Sequence, residues 1–184
     1  MVAAFSAVVQ FARYSDRFES VLIVACSRRQ IGTGNHRYNP HAMKQILHAV
    51  HIHVAPSRVY RSLTTGADLA AWWTTQVEID EELGGVIRFT FAGDFHPQMR
   101  QTTLEPDRRV EWRCVGGHAN WQDNTFTFGL DERKGETLLM FAQHYARELS
   151  DEAYGIYNFN WGYYLNSLKR LCETGAGTPF APSP

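Results

Sequence analysis

The regular part of the sequence begins with the run QILHAVHIHV at residues 45–54, in which four of the five alternate positions from 46 to 54 are apolar. Ile46, Val50 and Ile52 share one face of an extended chain with His48, because successive side chains of a strand point to opposite sides. This alternation predicts a β-strand with one apolar face that ends at the following Ala-Pro pair. We expect it to be the first element of a folded domain.

Two short helices are predicted directly after this strand. Pro56 is tolerated in the first turn of a helix, so the run PSRVYRSLTT at 56–65 is typical of a helix that starts there. The run GADLAAWWTT at 66–75 predicts a second helix, with Asp68 near its positively polarised start. The strand is therefore followed by helical structure before the chain becomes extended again.

Six further runs are rich in β-branched and aromatic residues, and Gly, Pro, Asp or Asn separates them at hairpin spacing. Consecutive strands with no helix between them pair in the antiparallel direction. We therefore predict a six-stranded meander, which together with the first strand makes a sheet of about seven strands. The runs are 75–83, 86–93, 98–106, 108–115, 121–130 and 136–146.

The last regular segment changes to a helical period. Ser150 is a suitable N-cap for a helix over 151–173, and Gly175 follows as its stop. Together the elements predict an α+β fold, in which a curved antiparallel sheet grips the long C-terminal helix and leaves a cavity between them. The apolar stripe of this helix consists of Tyr154, Tyr157, Trp161, Leu165, Leu168 and Cys172.

The chain divides into three predicted segments. Residues 1–42 show no sustained period, and we expect an N-terminal extension that is disordered or not native, with Met43 as the natural start. Residues 43–175 form the folded domain, and residues 176–184 are expected to be a flexible tail. The apolar run before Cys26 is too short, and the residues before it too charged, to indicate a signal peptide.

Composition narrows the function classes. The 184 residues are 44% hydrophobic and carry a net charge of −1, which fits one globular domain and gives no clustered positive charge for nucleic acid. No run approaches the roughly 18 apolar residues of a membrane span. The three cysteines are odd in number and widely spaced, which is typical of reduced thiols and predicts a cytoplasmic protein.

Four sequence features occur in a characteristic order. They are VAPSRVYRSLT at 54–64, Trp72-Trp73, the Gly84-Gly85 turn and W-x-x-x-L-x-x-L at 161–168. Together they resemble the START-like superfamily, also called SRPBCC or the helix-grip fold. The resemblance covers about residues 45–175, and it is greatest to the branch named after the C-terminal domain of the heat-shock-protein-90 ATPase activator.

The resemblance implies a pocket for a small apolar or aromatic molecule between the sheet and the C-terminal helix. Members of the superfamily include lipid-transfer domains, hormone receptors, polyketide aromatase/cyclases and co-chaperone domains, so the fold alone does not determine the function. We expect non-catalytic binding of a small hydrophobic ligand. The alternatives are a polyketide aromatase/cyclase-like enzyme and a chaperone-interacting module, and the predicted partners further include a homodimer and a chaperone.

The candidate ligand-binding residues are aromatic side chains on the expected inward faces, together with one glutamine. Ligand pockets are mostly apolar with a few polar groups. Close-packed interiors contain the same residue types, so simple core packing stays an alternative. Tyr154 and Tyr157 are the strongest candidates, because a buried phenol needs a hydrogen-bond partner. The set is Trp73, Phe89, Phe91, Trp112, Phe126, Phe128, Phe141, Gln143, Tyr154, Tyr157 and Trp161.

Three histidines, His48, His51 and His53, have a spacing that first suggests a metal site. The period of a strand places His51 and His53 on one face and His48 on the other, so the three imidazoles cannot converge on one ion. The sequence also lacks a phosphate-binding loop and a complete dinucleotide-binding motif. We therefore predict no metal ligand, no cofactor and no catalytic residue.

Overall fold

A computed structural model of the chain describes residues 45–181. The predicted N-terminal extension over 1–42, the proposed start at Met43 and the end of the predicted tail at 182–184 lie outside the described residues. The elements in chain order are β1 (Gln45–Ile52), α1 (Pro56–Thr64), α2 (Gly66–Trp72), β2 (Gln76–Ile79), β3 (Val86–Thr90), β4 (Gln98–Glu105), β5 (Arg109–Gly116), a 3₁₀ turn (Ala119–Trp121), β6 (Thr125–Arg133), β7 (Glu136–His144) and α3 (Asp151–Thr174).

The seven strands form one curved sheet in the order β1-β7-β6-β5-β4-β3-β2. Every neighbouring pair is antiparallel, and the strands from β2 to β7 form an uninterrupted meander. Strand β1 pairs with β7, which brings the first and the last strand together. The predicted α+β fold, with two short helices after the first strand and a long C-terminal helix, is confirmed.

The core lies between the inner face of the sheet and α3. On β1, Ile46 and Ile52 are fully buried whereas Leu47 is exposed, as the alternating pattern predicts. Helix α3 contributes Trp161 and Leu168, which are also buried. Burial of such side chains is the dominant favourable contribution to folding, and each fully buried residue contributes about 1.5–3 kcal/mol.

Both ends of α3 follow from local sequence. At its start the Ser150 hydroxyl accepts a hydrogen bond from the Ala153 amide at 3.2 Å, so the predicted N-cap is in place. At its end Gly175 adopts a φ of 82°, a left-handed conformation that glycine reaches without strain. Within the described part of the chain, no helix, α3 included, is both long and apolar enough to cross a membrane.

The C-terminal half of α3 is tied to the outer edge of the sheet. The Lys169 ammonium donates to the carbonyl oxygen of His51 at 2.6 Å, and the amide of His53 donates to the Glu173 carboxylate at 2.8 Å. These bonds use backbone groups of the chain at and just after β1, which would otherwise be open at the sheet edge. The position of α3 over the sheet is therefore set by polar contacts as well as by the core.

Among the element boundaries that differ from the sequence prediction, two have a clear tertiary cause. Helix α2 ends at Trp72 and not at residue 75, because the Thr74 hydroxyl donates to the carbonyl oxygen of Thr90 at 2.6 Å and turns the chain towards β3. Strand β6 begins at Thr125, four residues later than expected, because Trp121 belongs to the 3₁₀ turn. In both places tertiary contacts take precedence over local propensity.

Residues 176–181, here called the C-terminal segment, are hydrogen-bonded to the domain. The amide of Thr178 donates to the Ser167 hydroxyl at 2.7 Å, and Phe180 forms a parallel bridge with Thr74. Within the tail predicted over 176–184, residues 176–181 therefore make defined hydrogen bonds to the domain. Their composition of Gly, Pro and Thr is typical of a loose tail and did not indicate these contacts.

Candidate functional site

A cavity of about 160 Å³ lies beside the N-terminal half of α3. Four different parts of the fold meet around it: the residue after α2, the loop after β3, the 3₁₀ turn and one face of α3. Seven aromatic rings and one amide form its wall. The lining residues are Trp73, Phe91, Phe95, Trp121, Tyr157, Asn160, Trp161 and Tyr164.

Three tryptophans form the inner wall of the cavity. The ring of Trp161 lies 5.3 Å from that of Trp73 and 6.0 Å from that of Trp121, measured between centroids. Trp73 and Trp121 are 6.4 Å apart and nearly parallel. All three side chains are almost completely buried, so their positions are fixed by packing.

Trp121 reaches the cavity because of a local turn. Gly117 precedes the turn with a φ of 82°, and a Cβ atom placed there would lie 1.8 Å from the carbonyl oxygen of His96. Only glycine fits at this position. The amide of Trp121 then donates to the carbonyl oxygen of His118 at 3.1 Å, which closes the 3₁₀ turn and directs the indole inward. A strand through the same residues would not produce this turn.

The polar groups of the cavity wall are two phenols and one amide. The Tyr157 hydroxyl accepts a hydrogen bond from the side-chain amide of Asn120 at 3.2 Å. Burial raises the pKa of Tyr157, and the bond from Asn120 offsets part of this rise. Burial, with a smaller effect of Tyr163, raises the pKa of Tyr164 to about 12. Both phenols therefore keep their protons at neutral pH and are able to donate hydrogen bonds to a bound molecule.

A histidine packs directly behind the wall. The ring centroid of His118 is 4.8 Å from that of Phe95 and 6.1 Å from that of Tyr157, and its Nδ1 atom is buried without a partner among the described residues. Burial lowers the pKa of His118, although Asp94 opposes this effect, so the neutral imidazole is favoured. The histidine contributes an uncharged ring to the aromatic surroundings of the cavity.

Four of the predicted ligand-binding residues line the cavity: Trp73, Phe91, Tyr157 and Trp161. Tyr154 does not, and its hydroxyl donates to the carbonyl oxygen of Gln45 at 2.9 Å. The remaining predicted residues lie in the filled part of the core, where core packing was the alternative interpretation. They are Phe89, Trp112, Phe126, Phe128, Phe141 and Gln143.

Four lining residues were not among the predicted ones. Asn160 and Tyr164 follow Tyr157 at spacings of three and seven on α3, so the helical period could have indicated them. Phe95 lies in the loop after β3 and Trp121 in the 3₁₀ turn, where neither a strand nor a helix period applies. Sequence patterns alone could not have placed these two rings at the cavity.

The histidines of β1 are separated as the strand period requires. His48 faces α3 and lies near the backbone of Gly162, whereas His51 is exposed. The Nδ1 atom of His53, which follows β1, is 3.0 Å from the Glu136 carboxylate. Between residues 45 and 181, no three His, Cys, Asp or Glu side chains are grouped closely enough to hold a metal ion.

A second and wider depression lies along the free edge of the sheet, with a volume of about 530 Å³. Its wall is formed by β2, β3 and the start of β4, and it includes the exposed charged residues Glu78 and Arg88. Two of its nine lining side chains, Val77 and Phe89, are apolar. The aromatic cavity beside α3 is therefore the better candidate for binding an apolar molecule.

Comparison with known proteins places the chain among helix-grip proteins. A family model described as "Activator of Hsp90 ATPase homolog 1-like protein" matches residues 53–173. The solution structure of the Aha1 dimer from Colwellia psychrerythraea is 30% identical in sequence, with a TM-score of 0.66. That alignment covers 73% of this chain and 100% of the other chain. No curated protein matches the sequence.

More distant structures share the fold. CalU16 from Micromonospora echinospora is 19% identical with a TM-score of 0.58, and the alignment covers 76% of this chain and 77% of CalU16. Ara h 8.0201 is 12% identical with a TM-score of 0.58, and the alignment covers 71% of this chain and 98% of the other. The START-like fold expected from the sequence is thereby confirmed.

Proposed function

The chain belongs to the family of activator of Hsp90 ATPase homolog 1-like proteins, and we propose that it binds one small apolar or aromatic molecule in the cavity beside α3. The observation that supports this proposal is the wall of seven aromatic side chains around a partly open cavity next to the helix. Apolar pockets with a few polar groups are typical ligand sites. The phenols of Tyr157 and Tyr164 would orient a polar substituent of the ligand.

The volume of the cavity limits the ligand to about one ring. A buried cavity of about 150 Å³ in another protein binds benzene, whereas pockets for drug-sized ligands have roughly 300–1,000 Å³. At about 160 Å³ the cavity of this protein is close to the first case. Fatty acids and multi-ring polyketides exceed this volume, so we propose a monocyclic aromatic ligand such as a phenol.

A ligand of this size binds weakly by the usual standards. Even very efficient small ligands gain at most about 1.5 kcal/mol per non-hydrogen atom, and part of the gain is lost to immobilisation. For seven such atoms, as in phenol, we expect a dissociation constant between roughly 50 µM and 1 mM. Screening must therefore be done at millimolar ligand concentrations to be informative.

The test is a titration with phenol in which tryptophan fluorescence and the melting temperature are measured. Three tryptophans line the cavity, so occupancy should change their emission, and a ligand that binds only the folded state raises the melting temperature. Asn160→Trp should block the cavity, whereas Asn166→Trp, on an exposed position of the same helix, is the matched control. Absence of binding by the unmodified protein to phenol, toluene and anisole up to their solubility limits would overturn the proposal.

The enzyme alternative, an aromatase/cyclase, would be favoured by Arg, Tyr and His side chains converging on one cavity. The lining residues include Tyr157 and Tyr164 but neither Arg nor His. Because both phenols have raised pKa values, neither is a strong general base at neutral pH. We therefore keep binding as the proposed function and assign no chemical step to the cavity.

A second candidate function is self-association through α3. Three apolar side chains on its outer face are exposed, with spacings of three and four residues: Ile156 by 52%, Phe159 by 75% and Tyr163 by 52%. Such stripes are typical of protein interfaces. We propose that a second copy of this chain covers the stripe, because the relative from Colwellia psychrerythraea that aligns over its whole length was solved as a dimer.

Phe159→Lys tests this interface, because a buried unpaired charge would destabilise a dimer. The mass of the unmodified protein, measured by light scattering, should rise with concentration towards twice the monomer mass, and the variant should stay monomeric. Glu152→Lys on the exposed first turn is the control. A protein that is monomeric up to about 1 mM would contradict the proposal. Binding of purified Hsp90 to the same variants tests the predicted chaperone partner.

A further inference from the structure

The C-terminal segment makes backbone hydrogen bonds to the chain between α2 and β2. The amide of Phe180 donates to the carbonyl oxygen of Trp73, and the amide of Thr75 donates to the carbonyl oxygen of Phe180, both at 2.9 Å. Phe180 thereby forms a parallel bridge with Thr74. Trp73, the residue held by the first of these bonds, lines the aromatic cavity.

The path of the C-terminal segment requires glycine at one position, residue 177. A Cβ atom at Gly177 would lie 2.3 Å from the carbonyl oxygen of Ala71 and 2.9 Å from the Ser167 hydroxyl. That hydroxyl donates to the carbonyl oxygen of Trp72 at 2.8 Å and accepts from the amide of Thr178 at 2.7 Å. The segment is thus fitted closely between α2 and α3, and the bonds of Ser167 join all three.

The side chain of Phe180 supports the wall from behind. Its ring lies 5.5 Å from that of Phe91, measured between centroids. Phe91 in turn lies 5.6 Å from Trp73 and 6.1 Å from Tyr164, and all three of these rings line the cavity. Phe180 itself is not a lining residue. Phe180 thus packs beside a ring of the cavity wall without lining the cavity.

We propose that the C-terminal segment sets the size of molecule that the cavity admits, with Phe180 as the positioning residue behind Phe91. This inference rests on the proposed function, because a size limit has meaning only if the cavity binds a ligand. With Phe180 in place, Phe91 and Trp73 hold the wall at the volume of a single ring. Without Phe180, Phe91 is able to retreat, and a fused two-ring molecule fits.

The experiment compares two ligands that differ by one fused ring, phenol and 2-naphthol. In the unmodified protein we expect phenol to bind and 2-naphthol to bind at least about tenfold more weakly. In Phe180→Ala the ratio of the two dissociation constants should change about tenfold in favour of 2-naphthol. Leu83→Ala removes a large apolar side chain from an exposed position in the turn between β2 and β3 and should leave the ratio unchanged within about twofold.

Gly177→Ala tests the same inference by another route. The added methyl group should displace the C-terminal segment while the Phe180 side chain itself is kept. Hydrogen exchange at the Thr75 and Phe180 amides should then become faster. The ratio for phenol and 2-naphthol should then shift as in Phe180→Ala. Gly155→Ala is the matched control, because a Cβ atom at this exposed helical position meets no neighbour within 4 Å.

The outcomes separate the two proposals. If phenol fails to bind the unmodified protein, the proposed function is overturned and the size limit with it. If phenol binds, the amides of the displaced segment exchange faster and the ligand ratio nevertheless stays constant, the inference about the segment is overturned and the proposed function stands. A ratio that shifts in both variants and in neither control supports the inference.

Discussion

Two aromatic regions of this protein lie side by side beneath α3, and only one of them is filled. In the filled region, Trp112, Phe126, Phe128 and Phe141 are at most 1% exposed. The ring centroid of Phe128 lies 4.7 Å from that of Trp112 and 5.1 Å from that of Phe141. In the other region, equally aromatic side chains surround a volume of about 160 Å³.

The difference arises from how the rings are placed. In the filled region, Trp112 is directly opposite Phe126 on the next strand, and Phe128 is directly opposite Phe141. Cross-strand partners on one face have Cβ atoms about 5 Å apart, so bulky rings on them must touch. The rings of the cavity come from a helix end, a loop, a turn and α3, and no register forces them together. Strand register therefore brings rings into contact and fills the core, whereas rings contributed by separate loops and a helix leave space between them.

The largest expected effect comes from the same substitution made in both regions. Phe128→Ala should lower the free energy of unfolding by about 3–5 kcal/mol, because it opens a cavity among rings that cannot move. Phe95→Ala should lower it by about half as much, because Phe95 is only partly buried and already borders a cavity. Urea denaturation of both variants measures the two values.

Leu83→Ala is the control for this pair, since its side chain is 66% exposed and its loss should cost less than about 0.5 kcal/mol. Equal losses for Phe128→Ala and Phe95→Ala would contradict the contrast between the regions. Such a result would mean that the rings around the cavity are packed as tightly as those in the sheet.

The fold was predictable from the sequence to a large extent, because period and capping are local signals. The N-cap Ser150 and the stop at Gly175 bound α3 within one residue of the prediction. The runs of β-branched and aromatic residues located all seven strands, because each strand is apolar on one face or on both faces. The exception was Trp121, which has the residue type of a strand but occupies a turn made by the tight approach at Gly117.

The site was predictable only in part. Trp161 lines the cavity and Phe141 does not, although the centroids of their rings lie 4.3 Å apart and both are almost completely buried. A ring that fills a core and a ring that lines a pocket have the same hydrophobicity, so composition cannot separate them. The contact of Phe180 with Phe91 depends on the fit at Gly177, which is a property of tertiary structure.

A smaller effect is expected at Trp161, the residue that belongs to both regions. Its indole NH donates to the Gln143 side-chain oxygen at 2.7 Å, and both groups are buried. Trp161→Phe leaves that oxygen without its donor, so we expect a loss of about 1–3 kcal/mol from the unpaired group. In a Gln143→Leu background the same substitution should cost less, since no acceptor is then left unpaired.

A double-mutant cycle over Trp161 and Gln143, measured by urea denaturation, checks this expectation. A coupling energy below about 0.5 kcal/mol would contradict a role of the hydrogen bond in holding Trp161. In that event the position of this indole at the cavity would depend on ring packing alone. The contrast between the filled region and the cavity would then rest entirely on strand register.

The smallest effect is expected at alkaline pH, where a phenol of the cavity wall loses its proton. Burial raises the pKa of Tyr164 to about 12, whereas the ordinary value in an unfolded chain is about 10. Between these values the folded state binds more protons than the unfolded state, so stability falls as pH rises through this window. Below pH 10 this contribution is fully present.

Tyr164→Phe removes this pH dependence. Between pH 8 and pH 12, its free energy of unfolding should fall by about 1 kcal/mol less than that of the unmodified protein. Urea denaturation across pH 8–12 measures the profile. Leu83→Ala, which removes a side chain that does not titrate and is 66% exposed, is the control and should keep the profile of the unmodified protein. A profile of Tyr164→Phe that coincides with that of the unmodified protein would show that water reaches this phenol freely. The cavity would then be an open cleft, and the contrast with the filled core would be one of exposure instead of packing.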